Sequence, residues 1–222
     1  MEQLPKYMQI CFLALYNFMN EMAYDAIKEQ GVLIVSYLRK AWAELCRSYL
    51  KEAEWYFNGY TPTLEEYLEN AWISVGNPVM LVIVYFCVTN PIKIEALEYL
   101  DDYHDIIRLS STILRLEDDL GTSLDEMKRG DVPKAIQCYM NQTGASEEDA
   151  RKHIRYLISE IWKKMNKSRV AESPFSHTFI GTAVNVERMS RCMYQHGDGH
   201  PSQSSESKDR ILALLIQPIP LV

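Results

Sequence analysis

Four polar side chains near the middle of the chain fall at spacings that could serve chemistry: Arg115, Asp118, Thr122 and Glu126. Each residue of an α-helix advances by about 100°, so with Asp118 at zero the other three lie between about 40° and 80° on the same face. Asp118, Thr122 and Glu126 offer only oxygen ligands, and hard oxygen ligands suit Mg²⁺. Arg115 would supply positive charge to a phosphate group held by the metal. The spacing therefore indicates a magnesium and phosphate site.

A solvated amphipathic helix is the alternative interpretation, and spacing alone favours it. The apolar residues of the segment form a stripe on the opposite side: Leu109, Ile113, Leu116 and Leu120. Two residues argue for a site. Gly121 costs a helix about 1 kcal/mol relative to Ala, which predicts that another segment approaches its backbone closely. Thr122 is a mediocre helix former on a charged face, which indicates a use for its hydroxyl group.

The segment DDLGTSLDE resembles the second metal-binding motif of class I terpene synthases. That motif has Asn or Asp followed by Asp, then Ser or Thr four residues after the first position and Glu eight residues after it, and Asp118, Thr122 and Glu126 match it. The flanks also look like those of plant terpene synthases, especially of the monoterpene type: RLEDDLGTSLDEMKRGDVPKAIQCYM. The segments LPKYM, GYTPTLEEYLENAWIS, WKKMN and HGDGH follow in family order, so the resemblance extends from about Leu4 to the end.

The resemblance implies an all-α fold, a helical bundle of the class I terpenoid synthase type that is N-terminally truncated here. Residues 1–222 would then be the C-terminal portion of the metal-binding domain. It also implies the site. Asp118, Thr122 and Glu126 would bind Mg²⁺, with Mn²⁺ as the alternative ion, and the implied catalytic residues are Arg115, Lys134, Tyr194 and Asp198.

Within that set, Arg115 and Lys134 would contact the diphosphate of the substrate. Tyr194, Asp198 and His200 belong to a segment that, by the resemblance, closes over the pocket and expels water. On sequence alone, Lys134 is as readily explained as a surface lysine, and the glycine-containing loop as a simple connection. The sequence leaves those alternatives open.

The implied activity is the Mg²⁺-dependent ionisation of an allylic prenyl diphosphate, with geranyl diphosphate as the expected substrate and a monoterpene plus diphosphate as products. A sesquiterpene synthase that uses farnesyl diphosphate is one alternative, and a truncated, non-catalytic helical fragment is the other. The aspartate-rich first metal motif of the family precedes the LPKYM-like segment and is not in this chain. We therefore expect a part of a larger enzyme that is weakly active or inactive by itself.

A second acidic segment, DDYHD, fits the DDxxD pattern of that first motif at Asp101, Asp102 and Asp105. Its position argues against the role, because a metal cluster needs carboxylates from facing helices. Asp105 precedes Asp118 by 13 residues on the same predicted helix, which is roughly 20 Å along the axis, and it points about 140° away. The segment is interpreted as solvated charge.

Composition excludes several classes of protein. The 222 residues are 47% hydrophobic and 24% charged, which is ordinary for a globular protein, and the net charge of −7 gives no electrostatic footprint for nucleic acid. The longest apolar run, Val79 to Val88, is too short to cross a bilayer, so we expect no membrane partner.

We expect the protein to be a monomer. A monoterpene synthase parent would be imported into plastids, but we identify no transit peptide in this sequence; without one, the expected location is cytoplasmic. The five dispersed cysteines are interpreted as buried thiols.

The periodicity of apolar residues predicts helices along the whole chain. Gly31 and Gly59 are predicted to end the first two helices, and Pro91, Pro133 and Pro174 to lie in the first turns of later ones. Capping boxes are expected at Thr63 with Glu66 and at Ser146 with Asp149.

A break is predicted where Gly76, Asn77 and Pro78 interrupt the third helix. Two helices joined by a turn would explain it. The resemblance, however, makes Ser74, Val75 and Gly76 candidate pocket residues, flanked by Trp72 and Tyr85.

Overall fold

A computed structural model describes residues 3–129, 132–194, 197, 208–209 and 212–217, without the side chains of residues 124–129 and 214. The long helices are α1 (Lys6–Gln30), α2 (Val35–Phe57), α3 (Leu64–Ser74), α4 (Asn77–Val88), α5 (Ile94–Asp101), α6 (Asp105–Arg129), α7 (Ala135–Thr143), α8 (Glu147–Val170) and α9 (His177–Tyr194). A single turn of π-helix covers Leu212–Ile216. Every regular element of the described residues is helical, which confirms the all-α prediction.

Most predicted helix ends are confirmed by their local chemistry. Gly31 adopts a left-handed conformation with φ of 69° and ends α1. Thr63 caps α3, since its hydroxyl accepts from the Glu66 amide at 3.2 Å while the Glu66 carboxylate accepts from the Thr63 amide at 2.9 Å. Ser146 caps α8 by accepting from the Asp149 amide. These side chains satisfy amides that the first turn of a helix leaves without partners.

Other predicted boundaries are displaced by two or three residues. Helix α2 begins at Val35 rather than at Val32. The three prolines expected in first helical turns, Pro91, Pro133 and Pro174, all precede the N-cap residue, because α5, α7 and α9 begin at Ile94, Ala135 and His177. A proline restricts the residue before it to extended backbone, so it marks the approach to a helix as readily as its first turn.

The predicted break lies between α3 and α4. Gly76 has φ of 81°, a conformation that a residue with a Cβ rarely adopts, and Pro78 occupies the first turn of α4. By length and composition the stretch Leu64–Val88 could span a membrane, with a mean hydropathy of 1.9. Half of its apolar window is buried in the bundle, and Gly76 divides it into two helices. Core helices commonly have this composition.

Helix α6 lies at the centre of the bundle and packs against α3, α4, α7, α8 and α9. Its apolar stripe is confirmed in part, since Ile113 and Leu116 are buried and Leu109 and Leu120 are half-buried. The alternative interpretation of this segment as a solvated amphipathic helix is wrong, because Arg115 and Thr122 on its polar face are buried. The largest fully buried side chains of the core are Ile34, Leu38, Tyr67, Leu81, Tyr85, Leu100, Ile106, Ile107, Ile113, Leu116, Ile136 and Phe179.

The cysteine prediction is wrong for four residues of five. Cys138 is buried on α7, and burial raises its pKa to about 12. The exposed thiols are Cys11, Cys46, Cys87 and Cys192. Cysteine resembles a small apolar residue in composition, so sequence alone predicts burial more often than these positions show.

The core predicts a matched pair of stability effects. Ile107→Ala removes a side chain with 0% exposure, and the remaining cavity should lower the free energy of unfolding by about 2–5 kcal/mol. Ile94→Ala removes a side chain that is 77% exposed and should change the free energy of unfolding by no more than about 0.5 kcal/mol. Urea denaturation followed by circular dichroism measures both. Equal effects would contradict the assignment of α6 to the core.

Candidate functional site

A buried charge network fixes the middle of α6. Arg115 pairs with both neighbouring aspartates, Asp118 and Asp119, and the Arg115 Nη2 to Asp119 Oδ1 distance is 2.7 Å. The other oxygen of Asp119 accepts from the Tyr67 hydroxyl on α3 at 2.8 Å and from the Ala135 amide at the start of α7 at 3.0 Å. Asp119 is fully buried, so these bonds replace the water that its charge has lost. One carboxylate thereby joins α3, α6 and α7.

The predicted metal-ligand face lies beside this network. The Asp118 side chain is 17% exposed, whereas the Asp119 side chain has no exposed surface, so Asp118 is the aspartate of the pair that a ligand can reach. Thr122 follows one turn later, and its hydroxyl donates to the Asp118 backbone carbonyl at 3.0 Å. Its oxygen keeps lone pairs for a metal ion. Residue 126 continues the same helix, but the Glu126 side chain lies outside the described residues.

Another segment approaches the backbone of Gly121, as its unfavourable place in a helix predicts. A Cβ at Gly121 would lie 3.0 Å from Cβ and Cδ1 of Tyr194 and 3.2 Å from the carbonyl oxygen of Gly197. Tyr194 ends α9 and belongs to the predicted closing segment. The glycine therefore allows that end of α9 to lie directly on α6, next to Asp118 and Thr122.

Two basic residues of other helices flank the motif helix. Lys134 precedes α7 and is half-buried, and the next amide along the chain binds Asp119, so its backbone lies beside the charge network. Arg151 of α8 donates to the Leu120 carbonyl and to the Ser123 hydroxyl, both at 2.9 Å, while its Nε lies 2.8 Å from the Glu147 carboxylate. Arg151 thus holds the side of α6 opposite the predicted ligands.

The candidate pocket residues divide into two groups. A Cβ on Gly76 would have nothing within 4 Å, so the backbone at the helix break borders open space. Ser74 instead donates to Glu52 on α2. Trp72 packs edge-on against Tyr103, and Tyr85 is enclosed by Phe86, Phe175 and Phe179.

Tyr85 therefore belongs to the core rather than to a pocket wall. Burial raises its pKa to about 12. Trp72 lines a separate groove of about 660 Å³ together with Arg108, Tyr139 and His153.

The structure places Arg115, Asp118 and Thr122 together on α6, with Tyr194 against the neighbouring Gly121 and the backbone of Lys134 next to the amide that binds Asp119. Asp198 and His200, the other residues of the predicted closing segment, lie outside the described residues. The segment DDYHD does not join this group. Asp101 ends α5 and pairs with Lys40 at 3.0 Å, and Asp105 begins the same helix that carries Asp118, as predicted.

Sequence reasoning missed Asp119 and Tyr67. Asp119 falls about 100° from Asp118 and therefore outside the predicted ligand face, where an acidic residue is ordinarily solvated. Tyr67 is fully buried, and burial together with its bond to Asp119 raises its pKa well above the usual range. The sequence feature that could have identified Asp119 is the pair of adjacent aspartates near one arginine. In such a pair, one aspartate can be accessible while the other is buried against the arginine.

Comparison with known proteins places this geometry in context. Residues 1–164 match the family described as "Terpene synthase family, metal binding domain". The chain is similar to (−)-α-terpineol synthase of Vitis vinifera, with 66% identity over 220 residues that cover 99% of this chain and 37% of that protein. It is equally similar to myrcene synthase, chloroplastic, of Quercus ilex, with 66% identity over 221 residues that cover 100% of this chain and 37% of that protein.

Solved structures give the same result for the fold. A crystal structure of limonene synthase with 2-fluorolinalyl diphosphate matches with a TM-score of 0.93 at 50% identity, over 99% of this chain and 40% of that one. Isoprene synthase from grey poplar leaves, in complex with three Mg²⁺ ions and dimethylallyl-S-thiolodiphosphate, matches with a TM-score of 0.89 at 45% identity, over 99% of this chain and 42% of that one. The chain thus spans about two-fifths of the length of the proteins it matches.

Two glycines in helices give a matched test of the contact at Gly121. Gly121→Ala should lower the free energy of unfolding by about 1–3 kcal/mol, because the new methyl group pushes on Tyr194 and Gly197. In Gly181→Ala, on α9, the new methyl group has nothing within 4 Å. This variant should raise the free energy of unfolding by about 0.5–1 kcal/mol through its higher helix propensity. Urea denaturation of both variants measures the difference. A similar stabilisation of both would mean that α9 does not lie on α6 as described.

Proposed function

The chain belongs to the terpene synthase family, and we propose that it supplies one half of the active site of a larger monoterpene synthase. The proposed reaction is ionisation of geranyl diphosphate, followed by conversion of the allylic cation to a monoterpene. The observation that carries the proposal is the Asp118 and Thr122 face beside Arg115 in the middle of α6. The similarity to synthases named for the monoterpenes α-terpineol and myrcene supports the substrate class.

The residues of this face fit a divalent metal. Asp118 and Thr122 present a carboxylate and a hydroxyl oxygen one helical turn apart, the kind of hard donors that Mg²⁺ selects, and Glu126 continues the series in sequence. The Mg²⁺ ions in the related isoprene synthase structure support this choice over Mn²⁺. When bound, Mg²⁺ would supply positive charge that neutralises the diphosphate leaving group.

The chain's own side chains would orient the substrate. Arg115 is held by Asp119, which is in turn held by Tyr67, so its guanidinium is preorganised beside the ligand face and would bind a diphosphate oxygen. Lys134, next to the Ala135 amide that binds Asp119, would add a second positive charge. Tyr194, packed on Gly121, would cover the reacting end of the site and exclude water from the cation, with Asp198 in the same closing segment.

Helix α1 supports the proposal that residues 1–222 form the C-terminal portion of a larger catalytic domain. Residues 7–20 include no charged residue, and Ala23 is the one buried residue of the described helix. The apolar side chains that this leaves exposed in the first half of α1 are Tyr7, Met8, Ile10, Phe12, Leu13, Tyr16 and Phe18. A helix that is apolar on every side belongs inside a bundle, which the remaining three-fifths of a synthase of the matched length would provide.

The complete protein is proposed to be a monomer, because α1 would be enclosed by its own chain. A plastid location is proposed for it, since several similar synthases carry "chloroplastic" in their names. Neither nucleic acid nor a membrane is proposed as a partner. The half-site in this chain is expected to bind diphosphate with metal but to turn substrate over slowly or not at all.

Replacement of Asp118 tests the proposed site directly. Asp118→Asn keeps the shape of the side chain but removes the charge that a divalent ion needs. Isothermal titration calorimetry with inorganic diphosphate and Mg²⁺ should show affinity reduced by about tenfold or more, which corresponds to about 1.4 kcal/mol or more.

The control for this replacement is Asp102→Asn, in the other acidic segment, where the exposed side chain should not matter. Circular dichroism would verify that both variants fold. Equal affinity for the wild-type chain and Asp118→Asn would refute the assignment, and a loss with Asp102→Asn would transfer it to the DDYHD segment.

The exposed half of α1 predicts that the isolated chain self-associates. Sedimentation velocity should show a mass that increases with concentration for the wild-type chain. The double variant Ile10→Glu and Leu13→Glu should remain monomeric, because two charges on the apolar helix oppose its burial. Val170→Glu, at a site 77% exposed on α8, should associate like the wild type. A wild-type chain that stays monomeric at every concentration would argue against a helix that requires a cover.

A further inference from the structure

A carboxyl group that the proposed reaction does not use lies buried between α6 and α9. Glu187 has 0% exposure, its side-chain oxygens make no hydrogen bond of ordinary geometry within the described residues, and Ser110 of α6 is a polar side chain that interacts with it. Leaving a buried carboxylate without donors is costly, whereas a protonated carboxyl is neutral and carries a donor of its own. The site is therefore built for the protonated form.

Ser110, which interacts with Glu187, belongs to a polar cluster that joins three helices. Asn77, the first residue of α4, donates from Nδ2 to the hydroxyls of Ser110 and Ser111 on α6, at 3.0 Å each. Ser110 donates to the Ala183 carbonyl on α9 at 3.2 Å, one turn before Glu187. Asn77, Ser110 and Ser111 are all buried. The helix break at Gly76 is thereby attached to both α6 and α9.

A count of hydrogens shows what the cluster lacks. The hydroxyl of Ser111 donates its hydrogen to the Ile107 carbonyl, the hydroxyl of Ser110 to Ala183, and both amide hydrogens of Asn77 go to the two serines. The Asn77 Oδ1 atom, like the oxygens of Glu187, has no donor among the described residues. The Ser110 oxygen accepts from Asn77 and keeps one more lone pair, so an additional hydrogen on Glu187 gives the cluster a donor at Ser110 and removes a buried charge.

The cluster lies at the inner end of the proposed catalytic face. Helices α6 and α9 run parallel, since Ser110 meets Ala183 and Gly121 meets Tyr194, and each pair is separated by 11 residues along its helix. That separation corresponds to about 16 Å. Ser111 precedes Asp118 by seven residues, two turns, and so lies on the same face of α6 about 10 Å below it. Glu187 likewise shares the α9 face of Tyr194.

We propose that Glu187 is a positioning residue: its protonated carboxyl completes the Asn77–Ser110–Ser111 cluster and holds the first turn of α4, and with it the helix break, against α6 and α9. This proposal rests on the proposed function at one point, namely that the helix break at Gly76 borders the bound substrate. Ionisation of Glu187 removes the donor and places a negative charge among acceptor oxygens. The first turn of α4 then loosens, and the inner end of the cleft changes shape.

The direction of the pH dependence follows from the surroundings of Glu187. Burial raises its pKa from 4.5 to about 7, and the Ser110 hydroxyl and the charge of Arg188 on the same helix offset part of the rise. The group of the cluster that faces Glu187, Ser110 on α6, is uncharged. Because the pKa in the folded chain is the higher one, stability is fully present below 4.5 and is lost as the pH rises through about 7.

Carbon-13 NMR of the intact chain with labelled glutamate carboxyls tests the proposal, with Glu187→Gln used to assign the resonance. The Glu187 resonance should titrate with a midpoint near 7, and the side-chain amide protons of Asn77 should shift with the same midpoint. In Glu187→Gln the amide supplies a permanent donor without charge, so the Asn77 signals should no longer titrate. The matched control, Glu172→Gln, replaces an exposed carboxyl on the turn before α9 and should leave both titrations unchanged.

Stability gives a second readout that needs no assignment. Between pH 4.5 and about 7 the urea midpoint of the wild-type chain should fall relative to that of Glu187→Gln, while Glu172→Gln should follow the wild type. Three results would each overturn the proposal. The curves of urea midpoint against pH could run parallel for the wild type and Glu187→Gln, no carboxyl could titrate near pH 7, or the Asn77 signals could fail to follow the titration of Glu187. Should Glu187→Gln fail to fold, Glu187→Asp serves for assignment and the wild-type titrations decide. Diphosphate binding is measured separately, so its failure would refute the proposed function without affecting this result.

Discussion

The buried carboxylate of Asp119 is the constraint on which the arrangement of the site depends. Its charge cannot be left without partners in the interior, and the three groups that compensate it come from separate parts of the chain: Arg115 of α6, Tyr67 of α3 and the amide of Ala135. Any displacement of α3 or α7 relative to α6 would break a charge-assisted bond inside the core. The network therefore sets the position of α6 before any ligand is bound.

That constraint explains how one helix can be a core element and also present the proposed ligand face. A metal-binding helix needs accessible carboxylates, but exposed acidic side chains are flexible and repel each other. Here Asp118 and Asp119 divide the tasks, since one is partly exposed and the other is buried, and both contact the same arginine. Gly121 then allows Tyr194 to pack on the same part of the helix. The buried aspartate of the motif supplies rigidity, and the accessible one is left for the proposed metal ion.

The sequence predicts the fold far better than it predicts the environment of individual residues. Helix ends such as Gly31 and the Thr63 cap follow from local chemistry, and the close approach at Gly121 follows from the cost of a glycine in a helix. The roles of Asp119 and Glu187 depend on partners more than 15 residues away, to which helical periodicity gives no access. The aromatic side chain of Tyr85 illustrates the same limit, because its type fits a pocket wall and a core equally well, and only tertiary contacts place it in the core.

Two parts of the described structure have groups without suitable partners, and the two cases differ physically. In the first half of α1 most of the exposed side chains are apolar, and other polypeptide must cover them, because water cannot compensate an apolar surface of that extent. At Glu187 and Asn77 the unsatisfied atoms are polar and fully enclosed, and a single hydrogen on the carboxyl supplies the missing donor without any additional chain. The first lies on the outside of the bundle and the second at the junction of α4, α6 and α9. Covering the apolar surface of α1 and supplying a hydrogen to the Glu187 cluster are therefore physically independent requirements of the same chain.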